Sequence, residues 1–73
     1  MSDRVDELLD GMVSDGVISG YEHRNKRQMI VVRDGRRTVL NMRILTQLVA
    51  QDDGAARLWV STETEHHKPG ETT

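Results

Sequence analysis

The sequence has no cysteine and no phenylalanine, and it has one proline, one tryptophan and one tyrosine. Without cysteine there is no disulfide framework and no thiolate metal site, which fits a reducing cytoplasm. Without phenylalanine, the interior must be filled by Val, Ile, Leu and Met. The longest strictly apolar run is residues 29–32, far too short to span a bilayer. The opening Met1-Ser2-Asp3-Arg4 lacks the apolar stretch of a signal peptide. Neither Gly16 nor Gly20 precedes a Lys-Ser/Thr pair, so no phosphate-cradling loop is present. Together these absences lead us to expect a cytoplasmic domain with no cofactor and no membrane partner.

What is present is charge, unevenly spread. The net charge is −2, yet the chain divides into three blocks. Residues 1–22 hold six acids (Asp3, Asp6, Glu7, Asp10, Asp15, Glu22) and one base, Arg4. Residues 23–43 hold seven bases (Arg24, Lys26, Arg27, Arg33, Arg36, Arg37, Arg43) and one acid, Asp34. Residues 44–73 return to five acids and two bases. A basic middle between acidic ends is the main pointer to function.

With 73 residues, one domain is the limit, and a chain this short buries only about 60% of its unfolded surface. Val5, Leu8, Leu9, Met12 and Val13 form one helical stripe, which predicts a helix over residues 3–15, capped by Ser2 or Asp3 and stopped at Asp15-Gly16. Residues 17–24 read as a strand and Asn25-Lys26 as a turn. The strongest local signal is Asp34-Gly35 between residues 28–33 and 36–42, a two-residue hairpin. That loop length pairs Arg33 with Arg36, Val32 with Arg37, Val31 with Thr38, Ile30 with Val39 and Met29 with Leu40. Met29, Val31, Leu40 and Met42 then share one face, and Ile30, Val32 and Val39 the other. Asn41 caps a second helix with Ile44, Leu45, Leu48 and Val49 inward. Asp52-Asp53-Gly54 ends that helix, and residues 55–62 alternate as a last strand, with Leu58 and Val60 on one side and Arg57 and Trp59 on the other. The expectation is an α+β domain over residues 1–62, in the order α-β-β-β-α-β. Its antiparallel sheet would have three to four strands, with two helices on one face. Residues 63–73 read as a disordered, acidic, His-containing tail.

The bases concentrate at two turns. Arg33, Arg36 and Arg37 stand at the hairpin tip, and Arg24, Lys26 and Arg27 at the preceding turn. A meander puts these turns at opposite ends of its middle strand, so a stripe along the sheet is expected. Guanidinium groups suit phosphate because their planar forks donate in pairs. The competing reading is a solvated edge, since cations also guard strands against aggregation. Only Tyr21 and Trp59 could stack on bases, which weighs against single-strand binding. His23 adjoins Glu22, but neighbours on a strand point to opposite faces, so no acid–base pair is expected. His66 and His67 lie in the tail without the fixed geometry a metal needs. Ile30, Val32 and Val39 form a natural seam for a homodimer, with Trp59 either its anchor or a cap on the core.

Three stretches resemble the small HicA-type toxin fold, a relative of the double-stranded-RNA-binding domain. They are Gly20-Tyr21, Asp34-Gly35-Arg36-Arg37-Thr38-Val39 and Arg43-Ile44-Leu45-Thr46-Gln47, and the likeness runs from Asp6 to Gln51. The resemblance implies a helix, a three-stranded sheet, a closing helix and a surface directed at RNA or DNA. The family's ribonuclease activity depends on a His at the start of the middle strand. Here that position reads Asn25-Lys26-Arg27-Gln28-Met29, and His23 is too early to take the role. The expectation is therefore a non-catalytic module that contacts nucleic-acid phosphates. A second reading is a phage or mobile-element inhibitor that binds a host nucleic-acid-processing protein. It would dock through the basic hairpin, or through an acidic helix face (Asp3, Asp6, Glu7, Asp10) that imitates nucleic acid.

Overall fold

The hairpin at Asp34-Gly35 sets the architecture. In the computed structural model, which describes residues 4–65, Asp34 and Gly35 both adopt positive φ, 54° and 80°. That pair of conformations closes a two-residue turn whose twist matches the flanking strands. Strands β2 (Gln28–Arg33) and β3 (Arg36–Asn41) pair antiparallel in the expected register, from Arg33 with Arg36 to Gln28 with Asn41. Strand β1 (Gly20–His23) adds to the other side of β2, giving the order β1-β2-β3. β1 is shorter than expected. Val17 and Ile18 belong to its approach, and Ile18 is buried in the core.

Three helices cover one face of this sheet. Helix α1 (Arg4–Ser14) contributes Val5, Leu8, Leu9 and Met12. Helix α2 (Met42–Gln51) contributes Leu45 and Val49, and helix α3 (Asp53–Thr64) contributes Ala56 and Val60. They close over Met29, Val31 and Leu40, with Ile18 completing one aliphatic cluster. The α+β class and the α-β-β-β-α order stand as expected.

Residues 55–62 correct the expectation: they form α3, not a fourth strand. The alternation of Leu58 and Val60 against Arg57 and Trp59 fits a strand by coincidence. Ala56, Val60 and Thr64, spaced i, i+4, i+8, are each fully buried, whereas Leu58 is 68% exposed. That is the period of a helix. The Asp52 carboxylate accepts from the Gly54 N–H at 3.0 Å and caps α3, while the Asp52 N–H closes α2 onto Leu48. One residue therefore ends one helix and starts the next. The domain also extends past residue 62, because Thr64 is buried and its hydroxyl donates to the Val60 carbonyl at 2.7 Å. Asp3 and residues 66–73, including His66 and His67, lie outside the described residues.

α3 is held to the rest at both ends. Arg57 pairs with Asp15 at 2.7 Å and Arg4 with Asp53 at 3.6 Å. The Arg57 guanidinium passes close to Gly11, where a Cβ would lie 3.1 Å from it and require it to shift by a few tenths of an ångström. Arg33 reaches from β2 to donate to the Ser61 carbonyl at 2.9 Å. No helix among the described residues is long and apolar enough to cross a membrane.

The helical period of α3 separates two residues that the strand pattern would treat alike. Val60→Ala should cost about 2 kcal/mol of stability, and Leu58→Ala less than about 0.5 kcal/mol, read by urea unfolding. Equal losses at the two positions would restore the strand.

Candidate functional site

The bases of the middle segment fall into two groups with different fates. At the hairpin tip, Arg33 is committed to Ser61 of α3. Arg37 lies on the opposite, open face and bridges to Glu22 at 3.1 Å, crossing over β2. Of the three tip residues, only Arg36 has no side-chain partner among the described residues. The expected cationic stripe is thus interrupted, because β alternation sends Arg36 and Arg37 to opposite faces and two of the tip bases hold the fold together.

The turn between β1 and β2 is different. Arg24, Lys26 and Arg27 are all exposed and make no ion pair among the described residues. Asn25 organises the turn: its Oδ1 accepts the Arg27 N–H at 2.8 Å and its Nδ2 donates to Gln28 Oε1 at 3.1 Å. The first of these, from side chain to backbone, is the kind of bond that holds a turn without a helix or strand partner. The ladder then runs one step past β3, where the Met42 N–H donates to the Arg27 carbonyl at 2.8 Å. That bond ties the turn to the start of α2. There the Asn41 Oδ1 caps the N–H groups of Arg43 at 2.8 Å and Ile44 at 3.2 Å.

Arg43 consequently joins Lys26 and Arg27 at one end of the sheet. Lys26 lines three adjoining surface depressions. Arg27 and Asn41 line two of these, and Arg43, Arg4 and His23 border one each. No carboxylate lines any of the three. α2 has no acid in its first turn, although the helix dipole favours one there and disfavours a cation. Arg43 occupies that turn, without a carboxylate partner among the described residues. A base set against the dipole costs stability and concentrates positive potential on this end.

The acidic face of α1 is partly consumed. Asp6 holds His23 Nε2 at 3.0 Å, and Asp10 accepts from the Tyr21 hydroxyl at 2.6 Å. These contacts brace β1 against α1, leaving Glu7, among the described residues, as the exposed acid of the group without such a partner. Glu22 and His23 do point to opposite faces, as alternation requires. Among the described residues, no group of three or more His, Asp or Glu is placed to hold a metal. Trp59 packs against the core from α3, so it stands apart from the Ile30, Val32 and Val39 seam. On that seam Ile30 is only 8% exposed, and Val39 is the apolar residue open to solvent at 43%.

Arg43 is the site residue that motif reading passes over, being sixteen positions from Arg27. The hairpin register contains the signal: extending Gln28–Asn41 by one step sets Arg27 beside Met42, and Arg43 follows.

No family model matches the chain, nor does any curated protein or solved structure.

Asn41→Ala should cost about 1 kcal/mol through loss of the α2 cap. Arg36→Ala, with no side-chain partner to lose among the described residues, should change stability by less than about 0.5 kcal/mol. Thermal unfolding of both variants distinguishes a site built on a capped helix from one on an indifferent surface.

Proposed function

We propose that the chain is a non-catalytic nucleic-acid-binding module that grips phosphates with one end of its sheet. Arg24, Lys26 and Arg27 supply the charges of the turn, and Arg43 adds a fourth beside the N-terminal amides of α2. The observation that carries this reading is the set of depressions around Lys26, lined by no carboxylate and by Lys26, Arg27 and Arg43, which have no acidic partner among the described residues. Guanidinium groups bind phosphate oxygens in pairs, and bases already held by acids would have to break those pairs first. The resemblance to the double-stranded-RNA-binding-like fold supports the same direction.

The type of contact follows from what surrounds the bases. Tyr21 and Trp59 are both packed toward the helices, so the open sheet face carries no aromatic platform for unstacked bases. Backbone recognition of a duplex is the mode that suits this surface. Specificity would come from shape rather than from base edges.

Four phosphate contacts should give a slope of about −3 to −4 in log affinity against log salt on duplex DNA. Arg43→Glu offers the sharpest test, because it acts oppositely on two measurements. It should raise stability by about 0.5 kcal/mol by restoring an acid to the helix N-terminus, while weakening duplex binding and flattening the salt slope by about 1. Arg37→Glu, at the tip, should leave that slope nearly unchanged. Failure to bind duplex DNA or RNA at about 50 mM salt, where such contacts are strongest, would overturn the assignment. A partner captured from nuclease-treated lysate by the same four bases would assign this end to an acidic protein surface instead.

A further inference from the structure

The sheet has two edges, β1 and β3. β1 is four residues long, and β3 runs for six without a bulge or proline. The register determines which groups of β3 look outward. Arg33 and Arg36 flank the two-residue turn and exchange both backbone bonds, and the pairs Val31–Thr38 and Met29–Leu40 repeat that arrangement. The intervening residues Arg37 and Val39 therefore turn their N–H and C=O groups away from β2. No strand lies on that side among the described residues.

An edge of this kind is a template for another strand, and proteins usually blunt it with charge, proline or cover. The blunting here is weak. The Arg37 guanidinium is drawn back across the open face to Glu22. Two of the exposed large apolar residues accompany the edge: Val39 on it, 43% exposed, and Ile44, 42% exposed, three residues past its last member.

We propose that two copies of this chain pair through their β3 edges, antiparallel about a two-fold axis at Thr38, to form one six-stranded sheet. Arg37 of each copy exchanges both backbone hydrogen bonds with Val39 of the other. That makes four bonds, each between groups with no strand partner among the described residues. The neighbouring two-fold register, centred on Val39, sets Arg37 against Asn41. The Asn41 carbonyl is already committed to the first turn of α2, and Arg36 would come close to Arg43 of the second copy. Centred on Thr38, Arg37 faces Val39 and Arg36 faces Leu40, so no like charges stand directly opposed. One strand edge with Val39 and Ile44 falls short of the roughly 800 Å² per partner of a stable interface. The pairing is accordingly concentration-dependent, in the micromolar range. It does not depend on the phosphate reading, since none of its hydrogen bonds involves the turn bases or Arg43.

Sedimentation of the full chain from about 10 µM to about 1 mM should show mass rising from monomer toward dimer. Val39→Pro removes an outward N–H, a position where an edge strand tolerates proline. It should keep the chain monomeric throughout with its circular dichroism unchanged. Should that variant unfold, Val39→Lys sets like charges opposite each other, against Arg37 of the second copy, and should weaken association about tenfold. The chain has no cysteine, so Thr38→Cys places a single thiol on the two-fold. It should oxidise to a disulfide-linked dimer, whereas Thr46→Cys, exposed on α2, should not. A wild-type chain that stays monomeric at about 1 mM, or equal cross-linking from positions 38 and 46, would overturn the proposal.

Discussion

The left-handed backbone at Asp34 and Gly35 fixes the register of β2 against β3, and each later feature of the fold depends on that alignment. Side chains alternate along a strand, so a slip of β3 by one residue against β2 would carry Leu40 to the solvent face and bring Val39 under the helices. In the observed register, Met29 and Val31 are fully buried and Leu40 nearly so. They form the floor on which α1, α2 and α3 pack. The same alignment brings the end of β3 level with the turn after β1, which lets the Met42 N–H reach the Arg27 carbonyl. It also decides which amides of β3 face outward at the edge.

The charge segregation of the sequence turns out to serve two purposes. Much of the acidic N-terminal segment is structural. Asp6 and Asp10 hold His23 and Tyr21, Asp15 holds Arg57, and Glu22 holds Arg37. Exposed pairs of this kind contribute at most about 1 kcal/mol each, so their main effect is to use up charges. Once Arg4, Arg33, Arg37 and Arg57 are engaged, the remaining bases are Arg24, Lys26, Arg27, Arg36 and Arg43 among the described residues. Four of these five gather at one end of the sheet. The net charge of −2 conceals this, because the sum does not distinguish bases held by acids from bases with no acidic partner among the described residues.

Local chemistry made parts of this legible in the sequence. The Asp-Gly turn, the strand pairing and the Asn41 cap each depend on residues adjacent in the chain, and each was readable from them. The last helix was not, because Ala55 to Thr62 satisfies two periods. Its alternation of large side chains suggests a strand, and the small Ala56 and the polar Thr64 hide the helical stripe they complete with Val60. Asp52-Asp53-Gly54 compounded the ambiguity, since a stop signal for one helix and a cap for the next have the same composition. The candidate site was half visible. The turn bases could be named from the sequence, but the loss of Arg33 and Arg37 to Ser61 and Glu22 arises from tertiary contacts that no window of residues contains.

The open face of the sheet shows why a patch inferred from alternation needs its neighbours counted. Ile30, Val32 and Val39 all project there, yet Ile30 is 8% exposed and lies outside the cluster under the helices. Its cross-strand neighbours are Glu22 and Val39, and the Glu22–Arg37 bridge spans from one outer strand to the other over the strand that carries it. The aliphatic stems of Glu22 and Arg37 can cover apolar surface while their charged ends stay in water. With that cover in place, Val39 is the most accessible member of the group. Val39 also stands on the edge whose outward backbone groups have no strand partner among the described residues. Apolar exposure and hydrogen-bonding capacity therefore coincide along β3 rather than across the sheet, and the same ion pair that shields the face removes a charge from the edge. A single contact, Glu22 to Arg37, thereby shifts the sticky part of the molecule from a broad face to a narrow line.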